Sequence, residues 1–300
     1  MPDRDVIEIS TFRGAEVAVA DPPVDLLIEV PHGATRTAEF EATAARLRSP
    51  LPDGLVDFFH VNTDAGAPEL ALAVAARFVR LAPGRTARVL RCRLPRTFLD
   101  PNRQLDASAA DFKAGQVTPG LMPWVTEPAD VALLRGLVSR YFARVRGELD
   151  RLPSHARVLL LHTYAPRTVG VEVDLDIVTN LRRAYEPEVL PTWPLRPELD
   201  VIGQAPDGRF LAPEPVVKAL RANLGRLGLA LAAGDTYPLH PSTQAYDIAI
   251  RLPDRVLCLE VRRDLLAEPF EPFAEMRIGP ERVERLAGPL AEALLQGLPA

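Results

Sequence analysis

Cysteine is nearly missing from this chain. Its 300 residues hold two, Cys92 and Cys258, both in apolar, strand-like runs, and two thiols make no disulfide framework. Buried free thiols are expected instead. No apolar run approaches the roughly 20 residues that a membrane-spanning helix needs, and no basic block interrupts a net charge of −5. Membrane and nucleic acid are therefore both excluded as the expected partners. The opening residues, Met1-Pro-Asp-Arg-Asp5, carry no basic region followed by an apolar core, so a cytoplasmic protein is expected. No internal repeat is visible.

What is present is ordinary in amount and unusual in placement. Hydrophobic residues make up 47% and charged residues 25%, as in a soluble globular protein. Proline is abundant at 30 residues but dispersed, which suits rigid loops better than a disordered linker. The length admits one large α/β domain or two small ones, and we read it as a single domain, residues 1–300.

Two segments are nearly continuous in apolar residues, as buried central strands are: Leu26 to His32 and Val158 to Thr163. A third β-leaning run covers Ala87 to Leu94, and Val256 to Arg262 is a fourth. Weaker signals suggest an edge strand at Glu16 to Val19, a strand within Leu229 to Ala233, and a hairpin pairing Ile248–Arg251 with Val256–Arg262 across Pro253-Asp254. Helical spacing covers Thr37 to Arg48, Pro68 to Leu81, Asp130 to Leu149, Pro215 to Leu227 and Gly279 to Leu295. Strands alternate with helices, which predicts an α/β fold with a mixed, mostly parallel sheet flanked by helices. The segment from Lys113 to Pro128 is long for a plain connection and is a candidate lid.

In open α/β sheets, ligands bind beyond the carboxyl ends of the strands. Polar chemistry concentrates at such ends here. The run Leu94-Pro-Arg-Thr-Phe-Leu-Asp-Pro-Asn-Arg103 packs Arg96, Asp100, Asn102 and Arg103 between prolines that keep it out of helix. Arginine forks of this kind recognise carboxylates, although the same residues also suit an Arg–Asp latch on a loop. His32 closes the first central strand and His162 the second. Imidazoles are the commonest protein ligands for zinc, and a catalytic zinc takes three protein groups and keeps one position open. Asp64, in a Gly-bearing loop before a helix, is the preferred third ligand, with His60 competing and helix capping as the other use of Asp64. Glu260, embedded in an apolar strand, shares a face with Cys258 and Arg262. Burial raises a carboxylate's pKa while a metal or arginine opposes the rise, which suits a general base, and the other reading is an ion pair to Arg262 or Arg263.

At this point the residues resemble a family. Val30-Pro-His-Gly33, His60-Val-Asn-Thr-Asp-Ala-Gly-Ala67, Arg96 to Arg103, Leu161-His-Thr163, Gly234-Asp-Thr-Tyr-Pro238 and Leu259-Glu-Val-Arg-Arg-Asp-Leu-Leu266 together look like the N-formylglutamate amidohydrolases. The segments stand in that family's order, from about residue 26 to residue 266. The resemblance implies a fold like that of zinc carboxypeptidases and aspartoacylases. It implies zinc held by His32, His162 and Asp64, a substrate carboxylate on Asn102 and Arg103, and a carbonyl polarised by Arg96. Glu260 would activate water, and Arg262 would hold a second carboxylate or orient Glu260. The implied reaction is hydrolysis of N-formylglutamate to formate and glutamate, a step of histidine degradation, on a small-molecule substrate. Two rivals remain: a deacylase or carboxypeptidase for another N-acyl amino acid or peptide, and a non-catalytic carboxylate-binding protein.

Overall fold

A computed structural model describes residues 6–104 and 120–299. Its centre is a seven-stranded mixed sheet in the order β1-β3-β2-β4-β7-β5-β6. The strands are β1 (Ile7–Arg13), β2 (Leu26–Val30), β3 (Thr86–Cys92), β4 (Arg157–Tyr164), β5 (Leu199–Val201), β6 (Leu231–Ala232) and β7 (Val256–Arg262). The four central strands β3, β2, β4 and β7 run parallel, so their carboxyl ends open on one rim. β1 and β5 pair antiparallel to β3 and β7, and β6 extends the sheet parallel to β5.

The parallel strands are mostly apolar, as strands covered by helices on both faces are. On one face lie α3 (Ala67–Leu81), α6 (Glu214–Gly225) and α8 (Pro280–Leu294), packed on Leu26, Ile28, Leu159, Leu161, Leu257 and Leu259. The other face carries α2 (Leu55–Asn62), α4 (Pro128–Leu149), α5 (Ile177–Ala184) and α7 (Gln244–Arg251), with α1 (Thr37–Ala44) beside them. Alternation divides each strand between the two cores: Leu27, Leu160 and Cys258 face the second layer. Both cysteines are buried and unpaired. Among the described residues no helix is long and apolar enough to cross a membrane.

Three sequence expectations are corrected. The edge strand is Ile7–Arg13, not Glu16 to Val19, which lies outside any strand; its period-2 pattern of Ile7, Ile9 and Thr11 is muted because the edge strand buries little. Ile248–Arg251 is the end of α7, started by Thr243, whose hydroxyl accepts from the Tyr246 amide; a four-residue run with two β-branched residues does not distinguish a strand from a helix end. Val256–Arg262 therefore has no hairpin partner there and pairs with β4 and β5 instead. Part of the candidate lid, residues 113–119, lies outside the described residues. Its remainder is no lid: Met122, Trp124 and Val125 are buried in the core, and the Trp124 indole donates to the Thr97 carbonyl at 3.0 Å.

Candidate active site

The first functional side chain follows β2 directly. Pro31 ends the strand, and His32 turns inward beneath Gly33, where a Cβ would come within 2.9 Å of the Cys92 carbonyl oxygen. The second comes from the loop between α2 and α3. The Thr63 hydroxyl donates to the Ala34 carbonyl at 2.6 Å, and that of Thr163 on β4 donates to the Ala65 carbonyl at 3.0 Å. These bonds clamp Asp64 between the exits of two strands. Gly66, at φ +89°, then turns the chain into α3 where Leu266 leaves no room for a Cβ. The third, His162, is part of β4 itself.

Three atoms meet. His32 Nδ1 lies 3.2 Å from Asp64 Oδ2, His162 Nδ1 lies 3.0 Å from the same oxygen, and the two Nδ1 atoms are 3.3 Å apart. All three residues are buried. With ligand bonds of about 2.0–2.1 Å, tetrahedral zinc separates its ligands by about 3.3 Å. The triangle thus has the size of one face of such a site. The protonation pattern agrees: His32 Nε2 is 2.7 Å from Asp100 Oδ1, so the ring proton sits on Nε2 and the lone pair on Nδ1 faces the cluster. The donor set of two imidazoles and one carboxylate fits a divalent ion. His60 is also buried, but on α2 against Phe59, with its pKa lowered by burial despite Glu275 and Asp57; among the described residues it belongs to no such cluster.

Arginines surround the carboxylates. Arg96 Nη2 holds Asp100 Oδ2 at 2.8 Å, and its Nη1 lies 3.7 Å from Asp64 Oδ1. Burial alone would raise Asp100 and Asp64, but Arg96, His32 and Arg103 hold the first well below the ordinary range, and His32 and His162 do the same for the second. His162 moves the opposite way: its hydrogen bond and charge interaction with Asp64 overcome the downward pull of burial. The Asn102 amide proton goes to Asp100 Oδ1 at 2.8 Å, while its side-chain oxygen accepts from the Ala245 amide. Arg103 bridges backbone to Thr243. Asn102 and Arg103 are thereby fixed against the start of α7.

Glu260 stands opposite His162 in the register of β4 and β7. Its pKa is raised, chiefly by burial, with His162 opposing and Asp64 adding to the rise. The Tyr237 hydroxyl donates to Oε1, and Oε2 is buried with no hydrogen-bond partner among the described residues. Tyr237 is placed by a carboxylate the sequence did not single out: Asp200, across from Glu260, accepts from the amides of Gly234 and Thr236 at 2.8 Å each. Asp100, read from sequence only as half of an Arg–Asp latch, does pair with Arg96, and Tyr237 was assigned no role there, though both lie in the motifs quoted for the resemblance. Arg262 is placed elsewhere than expected. Its Nε pairs with Asp264 at 2.8 Å and its Nη1 donates to the Arg196 carbonyl, so its donors face the strand-end loop.

His32, His162, Arg96, Asn102, Arg103, Tyr237 and Glu260 all line one cavity of about 280 Å³. Arg262 does not line it. The arrangement sets a buried ion-binding triangle, a basic carboxylate and a bank of arginine and amide donors around a common space.

No family model matches this sequence, and no curated protein matches it. Solved structures do. An N-formylglutamate amidohydrolase from Ralstonia eutropha JMP134 aligns over 96% of this chain and 98% of its own at 18% identity, with a TM-score of 0.53. The gene product Atu2144 from Agrobacterium tumefaciens aligns over 98% and 95% at 16% identity, TM-score 0.52. A metallo-carboxypeptidase from Burkholderia cenocepacia aligns over 96% of this chain and 60% of its own at 14% identity, TM-score 0.39. The chain shares the fold of the first two over nearly its whole length.

Proposed function

We propose that this protein is a metal-dependent amidohydrolase that cleaves the amide of an N-acyl amino acid, and that the chain is one such domain acting in the cytoplasm on a small molecule. The observation that carries this reading is the convergence of His32 Nδ1, His162 Nδ1 and Asp64 Oδ2 within 3.3 Å, with Glu260 directly across the β4/β7 pair. The name of the R. eutropha neighbour makes N-formylglutamate, giving formate and glutamate, the reference substrate.

His32, His162 and Asp64 would hold the ion, for which zinc is the first choice given two imidazoles and a carboxylate. When bound, the ion supplies Lewis acidity, polarising the scissile carbonyl and acidifying a water. The protein does the rest. Asn102 and Arg103 bind the α-carboxylate, the arginine as a fork, and so set the register of the amide in the cavity. Arg96 faces the carbonyl side and stabilises negative charge on its oxygen; one such donor is worth about 3 kcal/mol. Glu260 Oε2 takes a proton from the attacking water and returns it to the departing nitrogen. Tyr237 holds Oε1, so that Oε2 does the transfer.

The test is hydrolysis of N-acyl amino acids by zinc-loaded protein beside its Glu260→Gln variant. Turnover in the parent, lower by about 10²–10⁴-fold in the variant at equal metal content, is expected. Full activity in the variant would remove Glu260 from the mechanism, and no turnover of any amide by metal-loaded parent would leave a carboxylate-binding protein.

A further inference from the structure

The cavity extends well past the groups that the reaction needs, and its far wall is apolar. After β4 the chain runs outside the sheet, without regular structure, through the half-buried Val169, Val171 and Val173, with Gly170 and Glu172 exposed between them. Alternation therefore turns the three valines to one side. All three line the cavity, as do Ile177 and Leu181, four residues apart on α5, and Phe58 on α2. Three separate elements thus present hydrocarbon to one space. A surface loop has no structural need for this: Val169, Val171 and Val173 are half-buried although the strip makes no strand pairing.

Among the described residues, the arginines on this side direct most of their donors to the backbone and to Thr168, with Arg263 Nε left without a partner. Arg263 lines it, but its Nη1 and Nη2 donate to the Val61 and Thr163 carbonyls. Arg196 donates to the Thr168 hydroxyl and the Ala165 carbonyl, and Arg167 to the carbonyls of Pro191 and Trp193. The carboxylate-binding pair Asn102 and Arg103 belongs to different segments, anchored on Thr243 and Ala245. A substrate carboxylate on that pair and an amide at Glu260 leave the valine strip for the acyl group.

We propose that the acyl subsite is a hydrophobic slot formed by Val169, Val171, Val173, Ile177, Leu181 and Phe58, and that the substrate is an amino acid N-acylated by a medium-length aliphatic or an aromatic acid rather than by formate. This rests on the amidohydrolase reading above and names its substrate class. Each methylene placed in the slot raises kcat/KM by roughly fourfold, the factor of burying one CH₂, until it is full.

The test uses zinc-loaded full-length protein and a series on one amino acid: N-formyl-, N-acetyl-, N-butanoyl-, N-hexanoyl- and N-octanoylglutamate, with N-succinylglutamate as the anionic comparison. Expected is a kcat/KM that climbs from formyl to hexanoyl by about a hundred- to a thousandfold, with the succinyl compound far below butanoyl. Val171→Asp, at a half-exposed position of an unpaired strip, should flatten that climb while metal content and melting temperature stay near those of the parent. In parallel, N-octylglutamate, which has no amide to cleave, should bind more tightly than N-methylglutamate by calorimetry, and the difference should shrink in Val171→Asp. A preference for formyl, or for succinyl, overturns the hydrophobic slot and leaves the amidohydrolase reading intact. No turnover of any member overturns that reading instead, and the calorimetric comparison still decides whether the slot binds hydrocarbon: equal affinity for the two N-alkyl compounds refutes it.

Discussion

Asp100 reaches no substrate in this account, yet three functional groups depend on it. One of its oxygens fixes the His32 tautomer and accepts the Asn102 amide, and the other holds Arg96. Asp100→Asn should therefore weaken metal binding by about 10–100-fold, as loss of a carboxylate behind a histidine ligand does, measured by competition with a chelator dye. A second expectation concerns pH. Glu260 acts as a base only when ionised, and its pKa is raised, so the acid limb of kcat/KM should lie above the ordinary glutamate value of about 4.3, with activity lost as pH falls through it. The Tyr237 hydrogen bond opposes that rise. Tyr237→Phe should thus move the limb to still higher pH, and a limb that moves down would place Tyr237 outside this role.

At the scale of elements, one buried carboxylate joins α4 to the α1–α2 connection. Asp130, in the first turn of α4, accepts from the amides of Arg48 and Ser49 and from the Ser49 hydroxyl, each at 2.7 Å, and Ser49 Oγ accepts in turn from Thr126 and Glu127. Burial raises its pKa, but the bonds from Ser49 and Arg48 win and it is lowered. A depressed folded-state pKa means that this stabilisation is present above the unfolded value of about 3.9 and is lost as pH falls through the folded one. Asp130→Asn should cost about 1–3 kcal/mol at neutral pH and flatten the acid end of the stability curve followed by urea unfolding. Nothing in sequence periodicity marks that junction. What could be read were the elements with a long single signal: the apolar runs of β2 and β4, and the 3.6-residue stripes of α3, α4 and α8. β5, with three residues, and α5, in a Pro- and Trp-rich region, carry too little pattern, and their positions come from pairing with β7 and packing on α2. The site was legible because parallel strands bring His32, His162 and Glu260 to one rim. Tyr237 and the part Asp100 plays behind His32 were missed because they follow from hydrogen bonds across 23 and 68 residues of chain, not from spacing. Arg262 was assigned to a substrate for want of knowing that Asp264 sits beside it.

For the molecule as a whole, the ligand triangle draws on three stretches of chain separated by 32 and 98 residues. An ion bound there cross-links the exits of β2 and β4 with the start of α3, so it ties both helical layers to the sheet. Binding to the folded state alone adds about 2.7 kcal/mol of stability at a free metal concentration of one hundred times Kd. Zinc should raise the melting temperature of the parent and leave that of Asp64→Ala unchanged. The antiparallel β5 turns the chain back beside β7, and Asp200 on it props the Tyr237 loop over Glu260. The measurement that bears most directly on all of this is metal content by elemental analysis of the parent and of His162→Ala, purified side by side and offered zinc. About one ion per chain in the parent and almost none in the variant is the expected result. Equal metal in both, or none taken up by the parent, would contradict the centre at His32, Asp64 and His162.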